Sequence, residues 1–179
     1  MTDFRLETER LILRPAKEED LPRWAEFAAD PDATRFLGGP KGASMSWRAL
    51  MTMAGAFHLT GVAMFSAIEK TSGLWVGRMG PWRPHGWPGT EVGWSLHPDA
   101  QGKGYAYEGA TAMIDYAFDT LGWTEVIHCI DPDNVPSQKL AARLGSANRG
   151  PGRMPDPFQD HPVEIWGQTR EQWRARPRS

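Results

Sequence analysis

Two glycines on either side of a lysine, Gly102-Lys103-Gly104, stand where one backbone pattern gives way to another. An extended pattern ends at Trp94-Ser95-Leu96-His97-Pro98, and a helical one begins within Gln101–Glu108 and runs to about Leu121. A strand-to-helix junction presents main-chain N–H groups that have no carbonyl partner in the chain, and the helix dipole adds positive potential at the same end. Glycine matters there because a side chain would hold a ligand away from the backbone. The chemistry such a junction offers is anion binding, phosphate above all. The segment does not match the dinucleotide fingerprint, which requires a third glycine. It is not a P-loop either, since no Gly-Lys-Ser/Thr closes it. It reads as a phosphate cradle of another kind, with a plain Gly-rich turn as the alternative on this local signal.

The elements that must position this loop follow from periodicity. Arg10 to Arg14 alternates as a strand, and Lys17-Glu18-Glu19-Asp20 opens a helix with acids at its positive end. Leu21, Trp24, Ala25 and Ala28 form the apolar face of that helix, and Trp47, Leu50, Met51, Ala54 and Phe57 mark a second one. Val62 to Ile68 and Leu74 to Met79 read as strands joined by a turn at 70–73, and a further strand runs from about Glu91 to His97. The long helix carries Ala106, Ala110, Met113, Ala117 and Leu121 on one face. Glu125 to Ile130 is a strand, Asp133, Asn134 and Pro136 open a short helix that Gly145 ends, and a last strand lies near Pro162 to Thr169. Strands, two helices, more strands, then alternating helix and strand imply a mixed α/β sheet in one domain.

Composition narrows the function. A net charge of −2 gives no electrostatic case for nucleic acid or for an anionic membrane as partner. No apolar run of about 18 residues and no apolar leader is visible, so the chain is expected to be cytoplasmic. The one cysteine, Cys129, cannot form an internal disulfide and has no Cys or His partner at metal spacing, so no metal is expected. It falls in an apolar strand and reads as a buried structural thiol. Of nine tryptophans, Trp24, Trp47 and Trp94 sit on apolar periods and are expected in the core. Trp82 and Trp87 fall in a Pro- and Gly-rich loop, where they either line a binding site or interface or cover the core edge. Exposed tryptophans would also offer a contact for a homodimer.

Four segments in register resemble the GNAT N-acetyltransferases. Gln101-x-x-Gly104-x-Ala106 resembles their acyl-CoA pyrophosphate loop. Leu6 to Pro15 is similar to the opening strand of the RimJ/RimL-type branch, Glu91 to Leu96 to the fourth strand, and Asn134-Val135-Pro136-Ser137 through Leu144-Gly145 to the motif of the last helix. The resemblance spans about residues 5–173. It implies a single acetyltransferase domain over 1–173, followed by a basic, disordered tail at 174–179. The implied fold is a mixed, mostly antiparallel sheet with flanking helices, in the order β-α-α-β-β-β-α-β-α-β-β. The implied co-substrate is acetyl-CoA.

Moving an acetyl group from a thioester to an amine requires a held acyl-CoA, a neutral amine, donors for the oxyanion and a proton or its equivalent for the leaving thiolate. By resemblance, the loop of Gln101, Gly102, Lys103, Gly104, Tyr105 and Ala106 holds the pyrophosphate. The N–H groups of Gly102, Gly104, Tyr105 and Ala106 are its donors, and Lys103 either adds a charge or stays solvated. Leu96 and its neighbours would pair with the pantetheine arm where the family bends its fourth strand from its fifth. On that strand Glu91, Gly93 and Ser95 share one face. Glu91 is the expected base, with an exposed strand carboxylate as the alternative. Asn134 would bond the pantetheine or cap its helix, and Ser137 would serve the CoA sulfur as proton donor or hydrogen-bond partner, or bond its own backbone.

Two departures stand out. Ala141 occupies the position where many members have a tyrosine acid, and Ser146 stands where an aromatic usually follows the glycine, which is expected to weaken a core contact. Without a nucleophile arrangement, direct transfer in a ternary complex is the expected route. The acceptor is expected to be a peptide N-terminus or a small primary amine. Its pocket would lie between the segment near Phe36 to Ser46 and that from Asn148 to His161. An acyl-CoA-binding regulatory protein of the same fold, without useful turnover, is the alternative.

Overall fold

A computed structural model describes residues 4–176. Eight strands form one sheet in the order β1-β2-β3-β4-β5-β6-β8-β7. They are β1 (Leu6–Glu7), β2 (Leu11–Arg14), β3 (Phe65–Glu69), β4 (Trp75–Trp82), β5 (Glu91–Leu96), β6 (Glu125–Ile130), β7 (Ala147–Pro151) and β8 (Glu164–Thr169). Every pairing is antiparallel except β5 with β6. The helices are α1 (Leu21–Ala29), α2 (Ala43–Thr60), α3 (Tyr105–Asp119), α4 (Val135–Arg143) and α5 (Arg170–Ala175). This is the mixed, mostly antiparallel α/β architecture expected from the sequence.

Two cores lie on the two faces of the sheet. On one, Ala110, Met113, Ile114 and Ala117 of α3 pack on Leu11, Leu13, Phe65, Met79 and Val92. On the other, Trp24 and Phe27 of α1 and Leu50 and Met53 of α2 pack on Ile68 and Trp75. Helix α3 lies close to β4 because Gly109 has no side chain; a Cβ there would stand 1.9 Å from Met79 Sδ.

Several expectations are corrected. The opening strand is two strands, β1 and β2, with a turn at Thr8–Arg10 between them, because Thr8 N–H donates to Leu11 O and Leu11 N–H donates back to Thr8 Oγ1. Residues 18–20 form a 3-10 turn before α1, and Asp20, 2% exposed, faces inward while also capping that turn. There it takes both Arg14 guanidinium nitrogens (2.9 and 2.7 Å), the Ser66 hydroxyl (2.6 Å) and Lys17 N–H (2.9 Å), a fully partnered buried charge. Trp47 lies on the outer side of α2, 49% exposed, while Trp24 is buried and Trp94 half-buried. Trp82 ends β4 rather than lying in the loop. Residues 147–151 are a strand, and Arg174 and Ala175, assigned to the tail, belong to α5; 177–179 lie outside the described residues.

Gly109→Ala is expected to cost about 1–3 kcal/mol of stability, because the added methyl must displace the Met79 side chain or lift α3 from the sheet. Urea denaturation of the variant against the natural chain reads this directly.

Candidate active site

The junction that opens α3 has the backbone its glycines imply. Gly102 and Gly104 both adopt left-handed conformations, φ +73° and +84°, which L side chains avoid. Residues 101–104 are exposed, no side chain caps α3, and a Cβ at Gly102 would meet nothing within 4 Å. The start of α3 is therefore left without a side-chain cap beside an exposed loop, an arrangement that suits an anion.

A clamp from the β1–β2 turn holds this junction. Glu108, in the first turn of α3, accepts from the Thr8 hydroxyl (2.5 Å), Arg10 N–H (2.7 Å) and Arg10 Nε (2.6 Å). Burial pushes the Glu108 carboxyl up, but these donors together hold it below its ordinary range. Arg10 also donates from its guanidinium to Lys103 O (2.8 Å) and lies 4.6 Å over the Tyr105 ring, while the Tyr105 hydroxyl bonds Glu69. Arg10 and Glu108 were not singled out from the sequence. Their signal was weak, an arginine beside the first strand and a glutamate four residues past Gly104, since nothing local pairs them.

The second feature is a split in the sheet. β5 and β6 share one register pair, Glu91 with Ile127, and Ile127 N–H donates to Thr90 O (2.9 Å). Beyond it, side chains replace the ladder. Cys129 N–H donates to Glu91 Oε1 (3.0 Å), and the Val92 carbonyl bonds His128 Nδ1 (2.6 Å). A carbonyl only accepts, so His128 Nδ1 carries the proton, and Nε2 accepts from the Ser146 hydroxyl (2.9 Å). Burial pulls His128 down to about 4, which keeps it neutral. Strand alternation then directs the main-chain groups of Trp94 and Leu96, like those of Thr90 and Val92, toward the opened edge.

Ser146 does not merely weaken a core contact. It is buried and also accepts from Gln168 Nε2 (2.9 Å), so a polar relay occupies the space expected for an aromatic. Ala141 is fully buried and offers no acid.

A cavity of about 520 Å³ opens at the split. It is lined by Glu91, Gly93, Trp94, Ser95 and His128 from the diverging strands, and by Asn134 and Ser137 from the start of α4. Phe36 and Leu37 from the α1–α2 loop line it too, as do Trp82 and Trp87, and Met154, Phe158 and His161 from the β7–β8 segment. Glu91 is 6% exposed, not an exposed strand carboxylate. Burial raises it to about 7, against the lowering effects of the Cys129 N–H, the Trp87 indole and the Arg78 charge. Trp87 Nε1 donates to Glu91 Oε2 (2.6 Å), and its ring meets Trp82 edge-on. Trp82 at the end of β4 and Trp87 in the loop after it thus both line the site. The Cys129 thiol is pushed well above its ordinary range by burial and by Glu91, so it is inert as a nucleophile. Asn134 Oδ1 caps α4 through Ser137 N–H (3.2 Å), and Ser137 Oγ accepts from Trp94 Nε1 (3.3 Å). The indole only donates, so the Ser137 hydroxyl keeps its own proton to give.

The loop, the split and the cavity are joined by one chain segment, β5 into α3. The family described as the acetyltransferase (GNAT) domain matches residues 10–147. This chain belongs to that family. The uncharacterized N-acetyltransferase p20 of Bacillus licheniformis is 31% identical over 148 residues, covering 81% of this chain and 83% of that protein. The crystal structure of an acetyltransferase from Agrobacterium tumefaciens strain C58 superposes with a TM-score of 0.83 at 28% identity, covering 95% of this chain and 96% of that one. A Bacillus anthracis acetyltransferase shares the fold at a TM-score of 0.78 and 22% identity. Membership makes the chain an N-acetyltransferase, with acetyl-CoA as the implied co-substrate and an amine as acceptor. Among the described residues no helix is long and apolar enough to cross a membrane, and no group of three or more His, Cys, Asp or Glu is placed to hold a metal.

Trp87→Phe removes a donor that favours the ionised form of Glu91 and is expected to move its ionisation above 7. A carbon-detected NMR titration of the Glu91 carboxyl measures the shift without relying on activity.

Proposed function

We propose that this N-acetyltransferase transfers the acetyl group directly to a primary amine within a ternary complex, with Glu91 as general base and Ser137 serving the leaving sulfur. One observation carries the reading. A carboxylate that titrates near neutrality stands at the vertex of the split, in the wall of a cavity that the opened edge of β5 and the start of α4 both line. A general base works best when its pKa lies close to the working pH.

The pyrophosphate rests on the main-chain N–H groups of Gly102, Gly104, Tyr105 and Ala106, beside Gln101 and Lys103. The pantetheine arm enters the split as an added strand against Leu96. The acceptor sheds a proton to Glu91, directly or through water. Its nitrogen attacks the thioester carbonyl carbon, and the oxyanion takes a main-chain N–H on the opened edge. The C–S bond breaks and the new C–N bond remains in the amide. The leaving sulfur either takes the Ser137 proton, replaced by the one the new amide nitrogen sheds, or leaves as a thiolate held by the Ser137 hydrogen bond while that nitrogen proton passes to solvent. Asn134 uses its Oδ1 to cap α4, which leaves its NH2 for the pantetheine amides. The likeness of Leu6 to Pro15 to the RimJ/RimL-type branch supports a place near that branch.

Thiol release with a panel of amines tests this reading. In the natural chain kcat/KM should rise with pH through about 7 as Glu91 ionises. Glu91→Gln should abolish that limb and lower kcat by about 10²–10⁴-fold, more for a lysine side chain than for an α-amine, whose lower pKa needs less help. An unchanged pH profile in the variant removes Glu91 from the mechanism.

Ser137→Ala is expected to slow the chemical step while leaving acetyl-CoA affinity intact. Single-turnover rates paired with calorimetric titration separate the two. Loss of affinity alone would make Ser137 a binding residue.

A further inference from the structure

Among the described residues Arg78 is the only arginine or lysine of the cavity wall, and it has no counter-ion in hydrogen-bonding contact. It sits in mid β4, paired in register with Ser66 on one side and Ser95 on the other, on the face that carries Ser95, Gly93 and Glu91. Its guanidinium lies 5.1 Å from the Trp24 ring centre, and its Nε is shielded from solvent with no hydrogen-bond partner. The other buried acid on that face, Asp20, is already committed to Arg14, Ser66 and Lys17. Glu91 acts on Arg78 only through space, and no ion pair joins them among the described residues. The other acids of the lining, Asp131 and Asp156, make no ion pair with it either.

A planar fork of donors in a low-dielectric wall, with no acceptor in the chain, matches a carboxylate in shape and charge. A cation held there repels polyamines and other multiply charged amines. Burial lowers Arg78 to about 10, against the opposing charge of Glu91, so it remains a cation at neutral pH.

We infer that the acceptor of this enzyme is a small amine bearing a carboxylate, an amino acid, whose carboxylate Arg78 binds while its amine faces Glu91. This rests on the acetyltransferase reading above. The apolar and aromatic remainder of the wall, from Phe36, Trp82, Trp87 and Phe158, suits the acceptor's side chain. Phe36, Trp87 and Phe158 come from three separate loops and Trp82 from the end of β4, around a cavity of about 520 Å³, a volume that suits a free amino acid.

The test compares free L-amino acids with their α-amides, with spermidine and with dipeptides that carry an acidic second residue, using thiol release and chromatography of the N-acetyl product. The natural enzyme should favour at least one free amino acid over spermidine and over the acidic dipeptides. Arg78→Met should reduce the acid-to-amide ratio of kcat/KM by about 10–100-fold. Taking the ratio in both proteins cancels the difference in amine pKa between acid and amide. Arg78→Lys, which keeps charge and most of the volume, should retain an intermediate ratio. Acetyl-CoA titration and thermal melts of both variants establish that the fold and co-substrate site survive.

Turnover of amides and acids with the same ratio in natural and variant enzymes would overturn the inference and leave the acetyltransferase reading standing. A preference for the acidic dipeptides would overturn the assignment to a free amino acid. Absence of thiol release with every amine would instead count against the parent reading.

Discussion

The replacement of main-chain ladder bonds by side chains between β5 and β6 is the constraint from which the site follows. In a regular parallel pair Cys129 N–H and the Val92 carbonyl would bond backbone partners. Here Glu91 and His128 take those places, so both polar groups stay satisfied while the strands part. A sheet can be opened in its middle only if the orphaned groups find such substitutes, because burying them unpaired costs about 1–3 kcal/mol each. The wedge has a chemical consequence. The carboxylate that accepts Cys129 N–H is buried by the same packing that holds the strands apart, and burial lifts its pKa to about 7. The structural role of Glu91 and its proposed catalytic role therefore share one cause.

A relay of hydrogen bonds backs the wedge. His128 donates to Val92, accepts from Ser146, and Ser146 accepts from Gln168, which also donates to Leu144 O (3.0 Å). This chain of bonds ties β5, β6, β8 and the end of α4 together behind the cavity. At the other end of β5, Arg10 and Glu108 fix the first turn of α3 to the β1–β2 turn. Positioning of both ends is thus delegated to polar contacts between elements far apart in sequence. A neutral His128 and an ionised Glu108 are the protonation states that these contacts require, and they are the states that the surroundings favour.

Charge is distributed unevenly across the face that α1 and α2 cover. The Asp20–Arg14 pair is saturated, with every charge met by a partner of opposite sign or by a polar donor. Arg78, two strands further along the same face, has an aromatic ring beneath it and no hydrogen-bond acceptor at Nε. A folding core has no use for such a cation, whose desolvation is uncompensated. A binding site has, because the ligand supplies the missing acceptor.

Much of this was legible in the residues. The glycines at 102 and 104 marked a strand-to-helix junction where no side chain would hold a ligand from the backbone, and the alternation of Glu91 to Leu96 placed Glu91, Gly93 and Ser95 on one face. Local rules suffice for both, since they depend on backbone sterics and on a period of two. Helix and strand types were legible for the same reason, while Trp47 misled because an apolar period on a helix does not say which residues at its edge find a partner. What only the tertiary structure decided are contacts that no spacing encodes: Trp87 on Glu91, His128 on Val92, Glu108 on Arg10, and the missing partner of Arg78. Each joins segments whose proximity is set by the order of strands in the sheet or the course of a loop. Burial, which turns an ordinary glutamate into a group that titrates near neutrality and leaves an arginine in want of a carboxylate, is a property of the packed molecule and not of the residue.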